Sequence, residues 1–145
     1  EEMLIIRFYR DGAIDMVKTH MMEQNGFLRS GRKVRSMKLW IDDLRPAPDE
    51  SWVWLRTVEQ AKAQIAECEY MRRCSRDKNF WTIELISIDH DAGDYADCGG
   101  DYIEVLNWME KNKYRAPIRL HSMNPVGIQN MRAIIQKNHW TEVPR

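Results

Sequence analysis

The chain has 145 residues, 43% of them hydrophobic and six of them tryptophan, which is material for the core of one ordinary domain. Lysine plus arginine and aspartate plus glutamate stand at 22 each, so the net charge is zero and no global field favours nucleic acid or an anionic membrane. No apolar run nears the roughly 20 residues that span a bilayer and the N-terminus lacks a signal-peptide pattern, so a cytoplasmic protein without membrane contact is expected.

Residues 1–36 open with "LIIRFYRDGAIDMVKTHMMEQNGFL", apolar clusters without a sustained period, and end in the basic linker "SGRKVRS". The expectation is an N-terminal extension or small accessory element over 1–36, with Met37 a candidate start, and an α/β domain over 37–145. "KLWIDDLRP" reads as a buried strand running into a loop at Asp42-Asp43, and "WVWLRT" as a second strand. "TVEQAKAQIAECEYMRR" predicts a helix with Thr57 at its N-cap and Gln60 as capping-box partner. "WTIELISID" is a third strand. "GGDYIEVLNWMEKNK" predicts a helix with Ile103, Leu106 and Met109 on one face, "APIRLHS" a fourth strand, "NPVGIQNMRAIIQKN" a helix and "HWTEV" a last edge strand. Strands alternating with helices imply a parallel sheet with right-handed crossovers and helices on both faces. Cys68, Cys74 and Cys98 match no metal or redox spacing and read as reduced thiols. The tryptophans read mainly as core, with Trp52 or Trp54 able to line a loop.

Ligands of such sheets bind beyond the carboxyl ends of the strands. Three strand ends carry unusual polar chemistry: Asp42-Asp43, then Asp89-His90-Asp91, then His121, Ser122 and Asn124. Carboxylates brought together stay ionised only if a cation or strong donors compensate them. Oxygen ligands point to Mg²⁺ or Mn²⁺, while His90 and His121 leave a softer metal open. Taken alone, Asp42-Asp43 also reads as an Asx turn ahead of Arg45-Pro46. Asp94, Asp97 and Asp101 read as solvated loop and helix entry, and Gly99-Gly100 as a turn. Asn124 is a candidate N-cap with Pro125 at the first helical position, on a helix N-terminus able to hold phosphate. His121, beside carboxylates, is expected to have a raised pKa and to serve as general acid or base.

The order "WIDDLRP", "ISIDHDAG", "IRLHSMNP" resembles the receiver domain of two-component response regulators from Lys38 to Val143. That resemblance implies a flavodoxin-like doubly wound sheet in which Asp42, Asp43 and Asp89 hold Mg²⁺, Asp89 accepts a phosphoryl group and Ser122 senses it. The family's lysine after the fifth strand has no match in "HWTEVPR", and no fifth helix follows, so the fold is expected to be truncated at its C-terminus. A closer resemblance, carried by "LWIDDLRP", "DHDAG" and "HSMNPVG", is to the cyclic-phosphate processing receiver domains. It implies a metal-dependent phosphoesterase acting on cyclic phosphate in nucleotides or RNA ends. In that scheme Asp42, Asp43 and Asp89 hold Mg²⁺ or Mn²⁺, His121 donates a proton to the leaving oxygen, and His90 and Asp91 orient water or a second metal. Ser122, Asn124 and Arg45 contact phosphate, and a competing scheme makes Asp89 a covalent nucleophile. The alternatives to an enzyme are a signalling module phosphorylated on Asp89 and a nucleotide-binding module.

Overall fold

The computed structural model describes residues 3–8, 14–19, 35–74 and 81–145. Strands β1 (Met3–Phe8) and β2 (Ile14–Thr19) form an antiparallel pair, Met3 opposite Thr19 and Phe8 opposite Ile14. The remainder of the expected accessory element before Arg35 lies outside the described residues.

The domain proper begins with β3 (Arg35–Ile41), followed by β4 (Trp52–Leu55), helix α1 (Val58–Cys74), β5 (Trp81–Ile88), helix α2 (Ile103–Asn112), β6 (Ile118–Leu120) and helix α3 (Pro125–Lys137). The strands form one parallel sheet in the order β4-β3-β5-β6, the receiver-like α/β arrangement expected from the sequence. Strand β3 starts two residues before Met37, inside the stretch read as linker, because Arg35 and Ser36 pair with Trp81 and Thr82 of β5. The last predicted strand is reduced to a single bridge, Glu142 to Ile118, flanking β6 on its open edge.

Local chemistry sets the helix starts. Thr57 Oγ1 accepts from the Gln60 N–H at 3.0 Å, while Gln60 Oε1 accepts from the Arg56 N–H at 2.9 Å, one residue upstream of the usual capping-box partner. Asn124 Oδ1 caps α3 through the Gly127 N–H at 2.9 Å, with Pro125 following as the sequence suggests.

Registers Leu39–Ile86–Ile118 and Ile41–Ile88–Leu120 place six buried aliphatic side chains on one face of the sheet. Val58, Ala61 and Ile65 of α1, Val105, Leu106 and Met109 of α2, and Met131 and Ile135 of α3 join them in one core cluster. Each fully buried large aliphatic contributes roughly 1.5–3 kcal/mol, so this layer carries most of the fold's stability. Ile103 is only half-buried; Val105 takes its place on the buried face of α2.

Helix α1 packs on α2 and α2 on α3, in a single layer. The reason is handedness: all three helical connections advance across the sheet in the same direction, from β4 towards Glu142, so right-handed crossovers put them on the same side. The reverse step, β3 to β4, is made by the loop 42–51, which holds no helix. Expected helices on both faces therefore become helices on one face among the described residues. The opposite face presents Lys38, Trp40, Ser87 and Arg119. None of the six tryptophans is fully buried, and Trp54 is 38% exposed. Cys68 and Cys98 are free thiols, and the Cys74 side chain lies outside the described residues. Among the described residues no helix is long and apolar enough to cross a membrane.

Candidate functional site

Adjacent parallel strands β3, β5 and β6 end side by side, and the residues that leave them meet. The Asp89 N–H donates to Ile41 O at 2.9 Å and the His121 N–H to Ile88 O at 3.0 Å, which continues the ladder past the strand ends and fixes the registration of the site. Carboxylate oxygens of Asp42, Asp43 and Asp89 lie within 4.8 Å of one another, all three residues buried.

Asp42 reconciles the two readings of its motif. Its Oδ1 accepts the N–H groups of Leu44 (2.9 Å) and Arg45 (2.7 Å) in an Asx turn, and its Oδ2 faces the cluster. Arg45 bridges the acids: Nε donates to Asp42 Oδ2 at 2.7 Å, Nη2 to Asp89 Oδ2 at 2.6 Å, and Nη1 to the His121 carbonyl at 3.2 Å. Burial on its own would raise the Asp42 carboxyl, but the Arg45 and Leu44 amides together with the His121 and Arg45 side chains overcome it and hold the group below its ordinary value. Asp43 differs, since among the described residues no group donates to its carboxylate. Gly93, at φ +52°, is what gives it room: a Cβ there would sit 2.2 Å from Asp43 Oδ2. A buried acid with free oxygens beside two more carboxylates suits a hard divalent cation.

His121 is wedged flat against Trp40, ring centroids 3.9 Å apart and 5° from parallel. Its Nε2 lies 3.0 Å from Asp42 Oδ2 and its Nδ1 2.8 Å from Ser87 Oγ, which assigns Nε2–H as donor to the carboxylate and Nδ1 as acceptor from the serine hydroxyl. The expected rise of its pKa is corrected: burial lowers it, outweighing the attraction of Asp42. Neutral His121 is thus a strut for Asp42. Ser122 is 1% exposed, its hydroxyl accepting from the Asn124 N–H at 3.1 Å. The Arg145 guanidinium donates to the carbonyls of Leu120 and Ser122.

His90 occupies the rim between the sheet and α3, so close to Gly127 that a Cβ there would lie 2.3 Å from its Cγ. Nδ1 pairs with Asp91 Oδ1 at 2.8 Å, and Nε2 has no partner among the described residues. Asp91, its side chain 54% exposed, is held below the ordinary carboxylate range first by His90 and then by the Asn124 amide, which donates at 3.2 Å. Asp101, expected at the helix entry, precedes α2 and accepts from the Ala92 N–H at 3.0 Å, and its carboxylate lies within 4.8 Å of ligand atoms of His90 and Asp91.

The rule that found three strand ends, polar residues leaving an apolar run, applied equally to the fourth. Arg56 is the first residue past β4, and its Nε and Nη2 donate to the Asp43 carbonyl at 3.0 and 2.7 Å. Trp40, Ser87 and Gly93 had no comparable signal, because their roles depend on cross-strand neighbours and on loop approach.

No curated protein and no solved structure matches the chain significantly. The family model described as the cyclic-phosphate processing receiver domain matches residues 37–137, a span that contains every strand end of the site from Asp42 to Asn124. The chain belongs to the cyclic-phosphate processing receiver domain family.

Proposed function

We propose that the protein is a metal-dependent phosphoesterase that opens cyclic phosphate in nucleotides or at RNA ends. The observation that carries this reading is the cluster of three buried carboxylates at the strand ends, with the next residue after Asp89 a histidine whose Nε2 has no partner among the described residues, in a family associated with cyclic-phosphate processing. Asp42, Asp43 and Asp89 would hold Mg²⁺ or Mn²⁺, a cation whose chemistry is to neutralise charge on the phosphoryl oxygens.

The chain's own residues divide the remaining work. Arg45 and His121 hold Asp42 and Asp89 in place at the strand ends. Asp91 and Asn124 orient the His90 ring, whose Nε2 takes a proton from water as the water oxygen bonds to phosphorus. The ring P–O bond breaks, and that proton ends on the leaving oxygen, restoring His90 and leaving a phosphomonoester. His121 can give a proton to the leaving oxygen only by surrendering its bond to Asp42, so support of that carboxylate is its first role.

The test is a turnover assay with Mn²⁺ over 2′,3′-cyclic nucleotides, 3′,5′-cyclic nucleotides and RNA ending in a cyclic phosphate, read by ³¹P NMR. Turnover is expected with at least one class, abolished by chelator and reduced on the order of 100-fold or more in Asp43→Ala and His90→Ala. Undiminished rates in both variants would remove the site assignment. Stable labelling of Asp89 by a phosphoramidate, with no turnover of any substrate, would instead support a signalling module.

A further inference from the structure

Arg45 bonds the carboxylates of the cluster and Arg56 the backbone carbonyl of Asp43, so the two cations are held in different ways. Arg45 engages Nε, Nη1 and Nη2, two of them on carboxylates. Arg56 has no carboxylate partner among the described residues. Its Nε and Nη2 both rest on the Asp43 carbonyl, and its Nη1 has no partner among the described residues. Its guanidinium carbon lies 4.8 Å from the centroid of the Trp54 ring and 5.1 Å from that of Tyr95, both within cation–π range. The backbone is fixed as well: the Arg56 N–H donates to Gln60 Oε1 at 2.9 Å, and the Tyr102 hydroxyl donates to the Arg56 carbonyl at 2.6 Å. A free arginine loses about 2 kcal/mol of rotamer entropy when it is immobilised on a ligand, and here that ordering is already complete in the folded chain.

Charge balance indicates what this cation awaits. Asp42, Asp43 and Asp89 against Arg45 leave an excess of two negative charges, which a divalent cation balances. A cyclic phosphodiester then brings one further negative charge, and Arg56 is a cation beside Asp43 that has no carboxylate partner among the described residues. We infer that Arg56, held over the rings of Trp54 and Tyr95, is the residue that grips the phosphoryl oxygens of the substrate. The inference deepens the phosphoesterase reading and rests on it for the identity of the anion. It moves the phosphate-binding role expected of Arg45 to a residue on the other side of Asp43.

The experiment titrates the full chain, with saturating Mg²⁺, against inorganic phosphate and against 2′,3′-cyclic AMP by calorimetry, and measures Mg²⁺ affinity separately. Arg56→Gln should weaken both anions about 10- to 100-fold, the range of a lost charge-assisted hydrogen bond, and leave Mg²⁺ affinity within about two-fold. Arg56→Lys should recover part of the loss, because it restores charge without the fork. Anion affinity unchanged in Arg56→Gln would overturn the inference. Anion and Mg²⁺ affinities falling together would also overturn it, since Arg56 would then only support Asp43. If Arg56→Gln does not fold, Tyr95→Leu, which removes one of the two rings from an intact Arg56, should still weaken phosphate by about three-fold or more, and no change there refutes the role. Arg56-dependent phosphate binding without turnover of any cyclic phosphate would end the phosphoesterase reading and leave the anion site standing. A wild-type chain that binds neither anion would end the anion site.

Discussion

Replacing Arg45 by methionine keeps the aliphatic stem and removes the cation between Asp42 and Asp89. The Asp42 side chain is 1% exposed and that of Asp89 12%, so both carboxylates lose a partner with little water to replace it, although Arg45 itself is 42% exposed. Breaking a fully buried pair costs about 3–5 kcal/mol and a surface pair about 0–1, which puts this site near 2–3 kcal/mol, since Asp42 keeps two amide donors and His121. For a domain of roughly 100 residues each kcal/mol moves Tm by about 4–8 °C, so Arg45→Met in chelator should melt about 10–20 °C below wild type. Mn²⁺ at about 100 times its Kd returns about 2.7 kcal/mol to any chain that binds it only when folded. In wild type the ion competes with the guanidinium for the same oxygens, so its Tm shift should be larger in Arg45→Met than in wild type. Thermal unfolding followed by circular dichroism, with chelator and with Mn²⁺, reads both quantities. Equal melting temperatures in chelator, or an equal or smaller Mn²⁺ shift in the variant, would refute the view that Arg45 stands in for part of the cation's charge.

Gly93→Ala places a methyl 2.2 Å from Asp43 Oδ2 on a backbone at φ +52°. Asp43 must move, so Mn²⁺ affinity should fall about ten-fold or more alongside a destabilisation of about 1–3 kcal/mol, and calorimetry showing wild-type Mn²⁺ affinity would contradict the geometry. The pH dependence follows from His121, whose burial holds the folded pKa below its ordinary 6.5. Below that pH the unfolded chain binds the proton that the folded chain refuses, so stability is lost as pH falls, with Asp42 adding a further loss below about its ordinary 3.8. In chelator, Tm should decline from pH 7 to pH 5, and His121→Gln should flatten that decline. An unchanged slope in the variant would exclude His121 as its source.

Much of the site was legible because its chemistry is local. Asp42-Asp43, Asp89-His90-Asp91 and His121-Ser122 each interrupt an apolar run, and a parallel sheet gathers the ends of its strands whatever the rest of the chain does. The caps at Thr57 and Asn124 were legible for the same reason, since their partners lie three residues away. His121 shows where such reasoning stops. Neighbouring carboxylates suggested a raised pKa, but burial against Trp40 and Ser87, contributed by other strands, reverses the direction.

The sequence by itself determined the succession of strands and helices, three polar strand ends and the residue types placed on them, because those depend on periodicity and on neighbours within a few positions. Only the tertiary structure decided that the helices form one layer, that Arg45 lies between two acids, that Gly93 opens space for Asp43, and that Tyr95 joins Trp54 beside the Arg56 guanidinium. Each of these depends on at least one contact between segments far apart in the chain, such as Arg45 with Asp89 and Arg56 with Tyr95. Their geometry follows from crossover handedness and strand register, which no short stretch of sequence encodes.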